Sequence, residues 1–600
     1  MNALPLLGSI PLVILLFAAV AVAPGAVVLR GLRLPAGMRL SAVVGCSLLL
    51  AFLAWWLLWL CGVSSMLRQV LVTGGVLGCV ILGRRPITRL FRRPIARYQA
   101  LGCGALALHA CLLHAAVFCY SGALWGEDWC FHAEQATFWL ADGETSANRF
   151  PAGHAITERP PMMNVLAGYL WGVVGTRFAN YQIIMTLLNS LACLPAFVAA
   201  GRLARLMQVH QRAAIALTTA GLMTLPAFAQ NAVYPWTKLL AAFYVLLGFM
   251  LWTMQSRSMF CRRLAAAVAF AAGVLVHYSA AVALVVVAAH ELVVLFVGLC
   301  RRQALQQRVV ADVSAAMIVA LILSPWIGWG VLQFGVTGTV STNTAVRDAE
   351  TYTLFGNAVK IWLNLVDTVV PFCLQEPTPL VQVFQRQTSR LGRVRDLCFL
   401  PYQVNFPTAV GTAGCALIVP VIGVLWRVTR QATTVLPRGN AAWWFWGTLA
   451  TDFLLLGVAV HGSRCLDGLA HICLQPLMIL GVVAIVLVLP RLPRPLQVLA
   501  CLGAVTDYLL GVLLQAAMQA VPFAELPSVP GMLPLRNTAG LSVGATFNLR
   551  NKLNMNVLFL GDSLRDVGIP PTIPLAVAVI LAAVTAALAW WWTVVGNRRD

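Results

Sequence analysis

The sequence predicts an all-α polytopic membrane protein. Apolar residues make up 60% of the chain and charged residues only 10%, whereas charged residues are roughly a quarter of an ordinary soluble protein. The apolar residues fall in runs of about 20, the length that a helix needs to cross roughly 30 Å of hydrocarbon. Short polar segments separate these runs, so we expect helices, and not the strands of a barrel, to span the membrane.

The net charge of +21 comes from arginines that occur in short clusters between the apolar runs. Such clusters are typical of the cytoplasmic loops of membrane proteins. They do not form the continuous basic surface of a nucleic-acid-binding protein, so no nucleic-acid partner is expected. The 16 cysteines lie mostly within apolar runs and follow neither metal-ligand nor disulfide spacing.

Residues 1–99 are predicted to be extra N-terminal spans that end in an arginine-rich cytoplasmic loop. Three apolar runs give one crossing each: 3–29, 41–62 and 69–83. The loop at 84–97, RRPITRLFRRPIAR, contains six arginines and is assigned to the cytoplasm. The next span, about 100–120, then delivers the following segment to the periplasmic face.

The segment 100–330 is predicted to be the catalytic transmembrane core, with an external loop at 121–180. An odd number of crossings must separate this loop from the next basic cluster, Arg202–Arg212. Two apolar runs lie between them, and the run at 162–175 is too short to span the membrane comfortably. We therefore predict a re-entrant or juxtamembrane helix there and a true crossing at 181–200.

The remainder is predicted to alternate between spans and two long external loops. The segments are an external loop at 331–405, further spans at 406–515, an external loop at 516–571, and a final span with a cytoplasmic tail at 572–600. The total is about fifteen crossings.

A polar stretch from Leu124 to Pro161 concentrates acidic residues in an otherwise acid-poor chain. Glu127 and Asp128 are adjacent at the point where a span emerges, and Phe131 follows. Paired carboxylates beside aromatic residues suggest a base held against a lipid-borne substrate. The structural alternative is an acidic helix N-terminus that the helix dipole stabilises.

The stretches GEDWCFHAEQATFWL and ERPPMMNVLAGYLWGVVG resemble the first external loop of the GT-C superfamily of membrane glycosyltransferases. That superfamily includes protein O-mannosyltransferases, lipid A aminoarabinose transferases and oligosaccharyltransferases. Its signature is an acidic pair after a span, then an aromatic residue, then a basic or His residue before Pro-Pro at the head of a short helix. The matching residues here are Glu127, Asp128, Phe131, Arg159, Pro160 and Pro161. The segment PAFAQNAVYPWTKLLAAFYVLLG resembles the second external loop.

The resemblance implies a GT-C-like bundle that transfers a sugar, with inversion, from a polyprenyl-phosphate-linked donor to an acceptor hydroxyl. The reaction would take place at the periplasmic face of a bacterial inner membrane. A carboxylate of the pair, Asp128 or Glu127, would deprotonate the acceptor, and Arg159 matches the phosphate-binding position. The sugar stays open, and the acceptor is a lipid, a polysaccharide or a protein.

Three further residues are candidates for binding the donor phosphate. Lys238 lies at the mouth of the second external loop, and a cation there would neutralise the charge of the leaving group. His277 and Tyr278 lie at a predicted external turn, where simple anchoring at the membrane interface is the alternative.

No obligatory divalent metal or other cofactor is expected. The second external loop, NAVYPWTK, contains no acidic residue, unlike the metal-binding loop of oligosaccharyltransferases. His132 and His154 share the first loop with carboxylates, but they lack HxH or HxxxH spacing. His109, His114 and His290 are expected to be packed or hydrogen-bonded residues of helices.

Two other classes of function compete with this interpretation. An O-antigen polymerase or ligase uses arginines in a large late loop, which keeps the basic patch at 386–395 of interest. A transporter of lipid-linked sugars is expected to carry charges inside its spans and to show inverted repeats. Few charges are expected within spans here, and Asp452 and Asp507 are the nearest cases.

Overall fold

The protein is described here by a computed structural model that consists of helices joined by short connections. The described residues are 4–32, 34–116, 126–141, 155–233, 236–254, 258–302, 305–340, 475–509 and 560–596, with scattered positions between 342 and 424. Within these ranges there is no β-strand, and one continuous apolar core joins most of the helices. The predicted all-α class is confirmed for the described residues.

The helices of the described ranges are labelled in chain order. They are α1 Leu4–Val28, α2 Ala36–Leu60, α3 Ser65–Phe91, α4 Pro94–Ala116, α5 Gly126–Leu140, α6 Met162–Val174, α7 Phe178–Ser190, α8 Cys193–Leu206, α9 Gln211–Thr224, α10 Pro226–Val233, α11 Lys238–Trp252, α12 Met259–Val276, α13 Ala281–Cys300, α14 Gln306–Val340, α15 Gln475–Val488, α16 Arg494–Tyr508, α17 Leu560–Arg565 and α18 Thr572–Gly596. Short 3-10 turns at Ile156–Glu158 and Tyr278–Ala280 also matter for the site.

Nine segments of the described residues are long enough and apolar enough to cross a membrane. They comprise α1, α2, α3, α4, the continuous pair α7 and α8, α12, α13, α14 and α18. Helices α6, α11 and α15 are apolar but shorter. The chain is therefore a multi-pass membrane protein, as predicted. The predicted total of about fifteen also counts crossings near 407–426 and 441–460, which lie largely or wholly outside the described residues.

The arginine-rich segment 84–97 is helical, which corrects the prediction of a loop there. Helix α3 continues to Phe91, and α4 begins at Pro94, so that only Arg92 and Arg93 connect them. Arginine is a good helix former, and proline at the first position of a helix loses no hydrogen bond because that N–H has no intrahelical partner. Polarity alone therefore did not indicate a loop.

Helices α1 and α2 approach each other closely at Gly25. The Gly25 backbone N–H donates to the Ser47 hydroxyl at 2.7 Å. A Cβ at Gly25 would lie 2.1 Å from the carbonyl oxygen of Val43, so only glycine fits this approach. The N-terminal helices α1, α2 and α3 thereby form one packed unit, and α6 and α7 rest against α1.

Helix α6 is shorter than a membrane span, as predicted for 162–175. Its 13 residues extend about 20 Å. A Cβ at Gly168 would lie 2.4 Å from the Ala136 carbonyl oxygen, so α6 rests directly on the backbone of α5. The following 29-residue segment, Phe178–Leu206, is a candidate span and contains the crossing predicted at 181–200. The position of α6 relative to the membrane surface stays a prediction.

Helix α14 is longer than the predicted span of about 311–330. Its backbone departs from helical geometry at Gly335, where φ is 72° and ψ is 172°, and a second helical piece continues to Val340. This positive φ favours glycine, because glycine has no Cβ to clash with the backbone. The extension places the chain near Gly338 against the segment 155–161.

A buried cluster of charges joins α12, α13 and α14 and adds Glu291 to the few charges predicted to lie within spans. Glu291, in the middle of α13, contacts Arg263 and Arg308, and Arg263 also contacts Asp312. Trp252 Nε1 donates to Glu291 Oε1 at 3.0 Å. Two cations and two anions balance, so each buried charge has an opposite partner.

Candidate active site

A polar site lies where separate parts of the chain meet. Tyr278, in the turn between α12 and α13, donates its hydroxyl to the Thr157 carbonyl oxygen at 3.3 Å. The Thr157 hydroxyl in turn donates to the Gly338 carbonyl oxygen of α14 at 2.9 Å. Lys238 at the start of α11 and Ser279 line a common recess. The segment 155–161 therefore lies between α5 on one side and α11 to α14 on the other.

A buried amide network ties α5 to this segment and to α6. Asn164 Nδ2 lies 3.1 Å from His132 Nδ1 and also donates to Gln135 Oε1. Gln135 Nε2 then donates to the carbonyl oxygens of Arg159, at 3.1 Å, and Ile156, at 3.4 Å. The sequence analysis did not identify Gln135 and Asn164. The sequence nevertheless offered a signal for both residues. Each is a polar amide within a segment predicted to be helical, and a buried amide must find hydrogen-bond partners.

The far end of α5 is held by an aromatic cluster and an arginine. Trp139 packs against tryptophans of α2 and α14 with ring centres about 5 to 6 Å apart, a range favourable for aromatic pairs. The partners of Trp139 are Trp56, Trp59, Trp326 and Trp329. Arg68 of α3 donates to the carbonyl oxygens of Leu140, at 3.2 Å, and Ala141, at 3.3 Å. Because these carbonyls end a helix, Arg68 caps α5 and fixes its direction.

Arg159 extends from a fixed backbone into the site. Its carbonyl is held by Gln135, and its side chain is 23% exposed. The guanidinium carbon lies 6.0 Å from the ring centre of Phe131. An Arg159 Nη atom lies 4.0 Å from Glu158 Oε1, whose side chain is only 3% exposed. A guanidinium held in this way presents a planar donor group that suits a phosphate.

Lys238 is the first residue of α11, and its ammonium lies 4.4 Å from the ring centre of Trp236. The N-terminal end of a helix carries partial positive charge, so a cation there costs about 0.3–1 kcal/mol. The cation–π contact with Trp236 offsets part of that cost. Lys238 and the N-terminal end of α11 together raise the positive potential of the site, which favours the binding of an anion.

His277 links the end of α12 to the following turn. The Ser279 backbone N–H donates to His277 Nδ1 at 3.1 Å, and the Ser279 hydroxyl lies 2.8 Å from the same atom. Because a backbone N–H can only donate, Nδ1 must accept, and the neutral ring carries its proton on Nε2.

The electrostatic surroundings of His277 show which residues lie near it. Burial, and then electrostatic interaction with Arg159, Lys238 and His132, hold the pKa of His277 well below its usual range. The ring is therefore neutral at physiological pH, while the site around it is strongly positive.

The structure thus brings together all four residues predicted to bind the donor phosphate. Arg159, Lys238, His277 and Tyr278 come from three places far apart in the chain and meet around the segment 155–161. Binding of phosphate by these residues stays a prediction.

The acidic pair lies on α5, in the same helix as His132. Glu127 and Asp128 belong to the first helical turn, which begins at Gly126. The side chains of this turn lie outside the described part of the chain. Positions 128, 132 and 135 share one face of a helix by register, because residues three and four apart are neighbours.

Several other predictions have a clear outcome. His109 Nε2 lies 2.9 Å from Tyr508 Oη, and His114 contacts Thr186 and Gln182 at 3.1 Å and 2.9 Å, so both are buried, hydrogen-bonded helix residues as predicted. His290 Nδ1 lies 3.2 Å from Glu291 Oε1, which also confirms the prediction.

Metal binding and the late basic patch are not decided by the described residues. Within the described ranges no three His, Cys, Asp or Glu side chains come together. The side chains of the acidic pair and the whole of His154 lie outside those ranges, so the expectation of no obligatory metal stays a prediction. The arginine patch at 386–395 also lies outside them, as does Asp452.

Comparison with known proteins finds similar structures but no similar sequences. No model of a protein family matches the chain, and no curated protein sequence matches it significantly. Two crystal structures of ArnT from Cupriavidus metallidurans are similar in fold. The structure bound to undecaprenyl phosphate has a TM-score of 0.43 and 15% identity, over 81% of this chain and 77% of that one. The apo structure has a TM-score of 0.40 and 14% identity, over 78% and 72%. At these values the likeness does not show what this chain binds or does.

Proposed function

We propose that the chain is an integral membrane glycosyltransferase that transfers a sugar from a polyprenyl-phosphate-linked donor to an acceptor hydroxyl. One observation carries the proposal. Arg159 and Lys238 lie close enough to His277 to lower its pKa, and this site is tied by hydrogen bonds to α5, which bears the acidic pair. A positive site beside a carboxylate pair, in a multi-pass membrane protein, suits an anionic lipid donor and a hydroxyl acceptor.

The positive residues would stabilise the leaving group. When the bond between the anomeric carbon and the phosphate oxygen breaks, polyprenyl phosphate gains negative charge. The Arg159 guanidinium offers two parallel N–H donors to phosphate oxygens, and the Lys238 ammonium adds a point charge. Neutral His277 would donate from Nε2 without adding desolvated charge. These groups are held in place before the reaction, so little reorganisation opposes it.

The acidic pair would supply the base. Asp128 or Glu127 takes the proton of the acceptor hydroxyl, whose oxygen attacks the anomeric carbon as the phosphate departs from the opposite face. A single displacement of this kind inverts the configuration. The fixed position of α5 supports this role for the acidic pair. Arg68 holds one end of the helix, and Gln135 holds it along its length.

The proposed location is a bacterial inner membrane, with the site facing the periplasm. The arginine clusters support this orientation, because the segments at 84–97 and Arg202–Arg212 carry the positive charge expected of cytoplasmic turns. The sugar and the acceptor stay open.

The two competing functions would depend on different residues. A polymerase or ligase would depend on the arginines at 386–395 and not on Arg159. A lipid-linked-sugar transporter would use charges within spans, and the cluster around Glu291 is such a group. Those charges are paired with one another, however, whereas Arg159 and Lys238 lie together near His277 at the candidate active site.

The test is transfer of radiolabelled sugar from polyprenyl-phosphate donors by membranes with matched amounts of each variant. We expect either Asp128→Asn or Glu127→Gln to lower the rate by about 10²–10⁴, the usual range for a general base. Arg159→Gln and Lys238→Gln should each lower it by about 10- to 100-fold, as for lost hydrogen bonds between charged groups. Arg177→Gln is the matched control, because this exposed arginine follows α6 and should leave transfer unchanged.

Four results would count against the proposal. Unchanged transfer in both acid variants would show that the pair does not supply the base. No transfer by the wild-type chain from any donor would favour the other classes. Loss of function on replacing Arg390, with Arg159→Gln fully active, would point to a polymerase or ligase, and translocation without turnover would point to a transporter.

A further inference from the structure

A large cavity within the described part of the chain lies far from the candidate active site. It has a volume of about 1240 Å³ and opens between α1, α2 and the end of α3. Arg68, near the start of α3, contacts the end of α5, whereas Arg85 lines this cavity. Seventeen residues of helix separate them, which corresponds to about 26 Å along the axis. The cavity is therefore a distinct feature at the opposite end of α3.

Seven arginines line this cavity. They are Arg30, Arg39, Arg84, Arg85, Arg89, Arg92 and Arg93. Within the described part of the chain, no carboxylate forms an ion pair with any of them. Among the described residues, one hydrogen bond to a side chain of this group is present, from Arg39 Nη2 to the Leu32 carbonyl oxygen at 3.1 Å. So many like charges around one space repel one another, and an anion placed among them relieves that repulsion.

The placement of the arginines is more specific than membrane orientation requires. Orientation depends only on the number of positive residues near the ends of spans. Here residues of three helices and of the α3–α4 connection face the same cavity. Positions 85 and 89 share one face of α3, because they are four residues apart, and Arg92 follows directly after the end of that helix.

The rest of the cavity is apolar and continues onto an exposed apolar surface of α3. Ala26, Leu29 and Val43 form an inner wall. At the outer rim, Ile81 is 76% exposed and Leu82 is 74% exposed. An apolar wall beside a group of arginines matches a molecule with a charged head and hydrocarbon chains, whereas it offers nothing to a free inorganic anion.

We infer that this cavity binds the phosphate headgroup of an anionic phospholipid, with the acyl chains along the exposed face of α3. Basic pockets between membrane helices recognise such headgroups. The volume exceeds the range of about 300–1,000 Å³ that holds drug-sized ligands, so it accommodates a headgroup with its glycerol. A lipid with two phosphates binds more tightly than a lipid with one, since it engages more arginines.

The experiment is native mass spectrometry of the full-length chain in detergent, titrated with cardiolipin, phosphatidylglycerol or phosphatidylcholine. We expect one saturable site for the anionic lipids, with cardiolipin tighter than phosphatidylglycerol, and no such site for phosphatidylcholine. Arg85→Gln/Arg89→Gln should weaken the binding of cardiolipin by roughly 25-fold, about fivefold for each arginine. Arg85→Lys/Arg89→Lys should keep most of the affinity, because the charge is retained.

The matched control is Arg301→Gln/Arg302→Gln, which removes two exposed arginines at the end of α13 that do not line the cavity. This variant should bind cardiolipin as the wild type does. Equal loss in both double glutamine variants, or no loss in either, would overturn the inference. Equal binding of phosphatidylcholine, or displacement of cardiolipin by millimolar inorganic phosphate, would also overturn it. Unfolding curves of each variant in the same detergent identify any variant that fails to fold. If Arg85→Gln/Arg89→Gln fails to fold, the affinity of Arg85→Lys/Arg89→Lys for cardiolipin tests the inference instead.

Discussion

Asn164 is predicted to hold the candidate active site together, and its replacement tests that role. The side chain is fully buried, and its Nδ2 donates to both His132 Nδ1, at 3.1 Å, and Gln135 Oε1. Asn164→Leu leaves two buried acceptors without their donor, and each such group costs about 1–3 kcal/mol. The change also removes Asn164 Oδ1, which finds no hydrogen-bond partner among the described residues. Removing this unpaired oxygen offsets part of the cost of the two acceptors, so we expect the free energy of unfolding to fall by about 1–3 kcal/mol in total.

Asn164→Asp should be more damaging than Asn164→Leu. Aspartate places an acceptor where the donor stood, opposite the Gln135 oxygen, and adds a buried charge. The assay is denaturant unfolding in mild detergent, followed by tryptophan fluorescence. Transfer of sugar should also fall in Asn164→Leu at a temperature where the variant is folded, because Gln135 no longer holds the carbonyl of Arg159 in one position. If Asn164→Leu is as stable and as active as the wild type, or if Asn164→Asp is the more stable variant, the network does not position the site.

Three further predictions concern the surrounding structure. The lowered pKa of His277 means that the unfolded chain binds a proton more readily than the folded chain below the ordinary histidine pKa of about 6.5. Stability should therefore fall as the pH drops below that value, and His277→Gln should reduce this fall. Gly335→Ala should destabilise the fold by about 1–3 kcal/mol, because the backbone region at φ 72° and ψ 172° is essentially confined to glycine. Glu291→Gln should cost about 3–5 kcal/mol, because it leaves buried arginines without a full counter-charge.

Each of these three predictions has its own test or control. Unfolding midpoints between pH 5 and 8 test the histidine, and an identical pH dependence in wild type and His277→Gln would contradict the assignment. Gly328→Ala is matched to Gly335→Ala, because it lies in the same helix with open space around its Cβ position and should be neutral or stabilising. For Glu291, a midpoint equal to that of wild type would show that the charge cluster contributes little.

Much of the candidate site could be predicted from the sequence because its signals are local. Pro-Pro after Arg159 marks the start of a helix, and the short apolar run that follows is too brief to cross a membrane. Lys238 stands out because lysine is rare and occurs at the end of an apolar run. His277 and Tyr278 interrupt another such run. Each of these signals depends on residue type and spacing within one segment, and the structure placed all four residues together.

Other features depended on contacts between distant segments. The sequence does not show that Gln135 meets Asn164, that Glu291 meets Arg263 and Arg308, or that Arg263 meets Asp312. These partners lie 17 to 49 residues apart and pair only when the helices pack. The prediction of a loop at 84–97 was wrong for a different reason: arginine is compatible with a helix, so polar residues alone do not mark where α3 ends.

The sequence by itself determined the class of protein and most candidate residues. Hydrophobic runs of about 20 residues have only one stable form in a bilayer, the helix, because every backbone polar group must be satisfied there. Tertiary structure alone decided which residues meet. The convergence of Arg159, Lys238 and His277, the cap that Arg68 places on α5 and the arginine-lined cavity all arise from side-chain packing between helices, which no local pattern specifies.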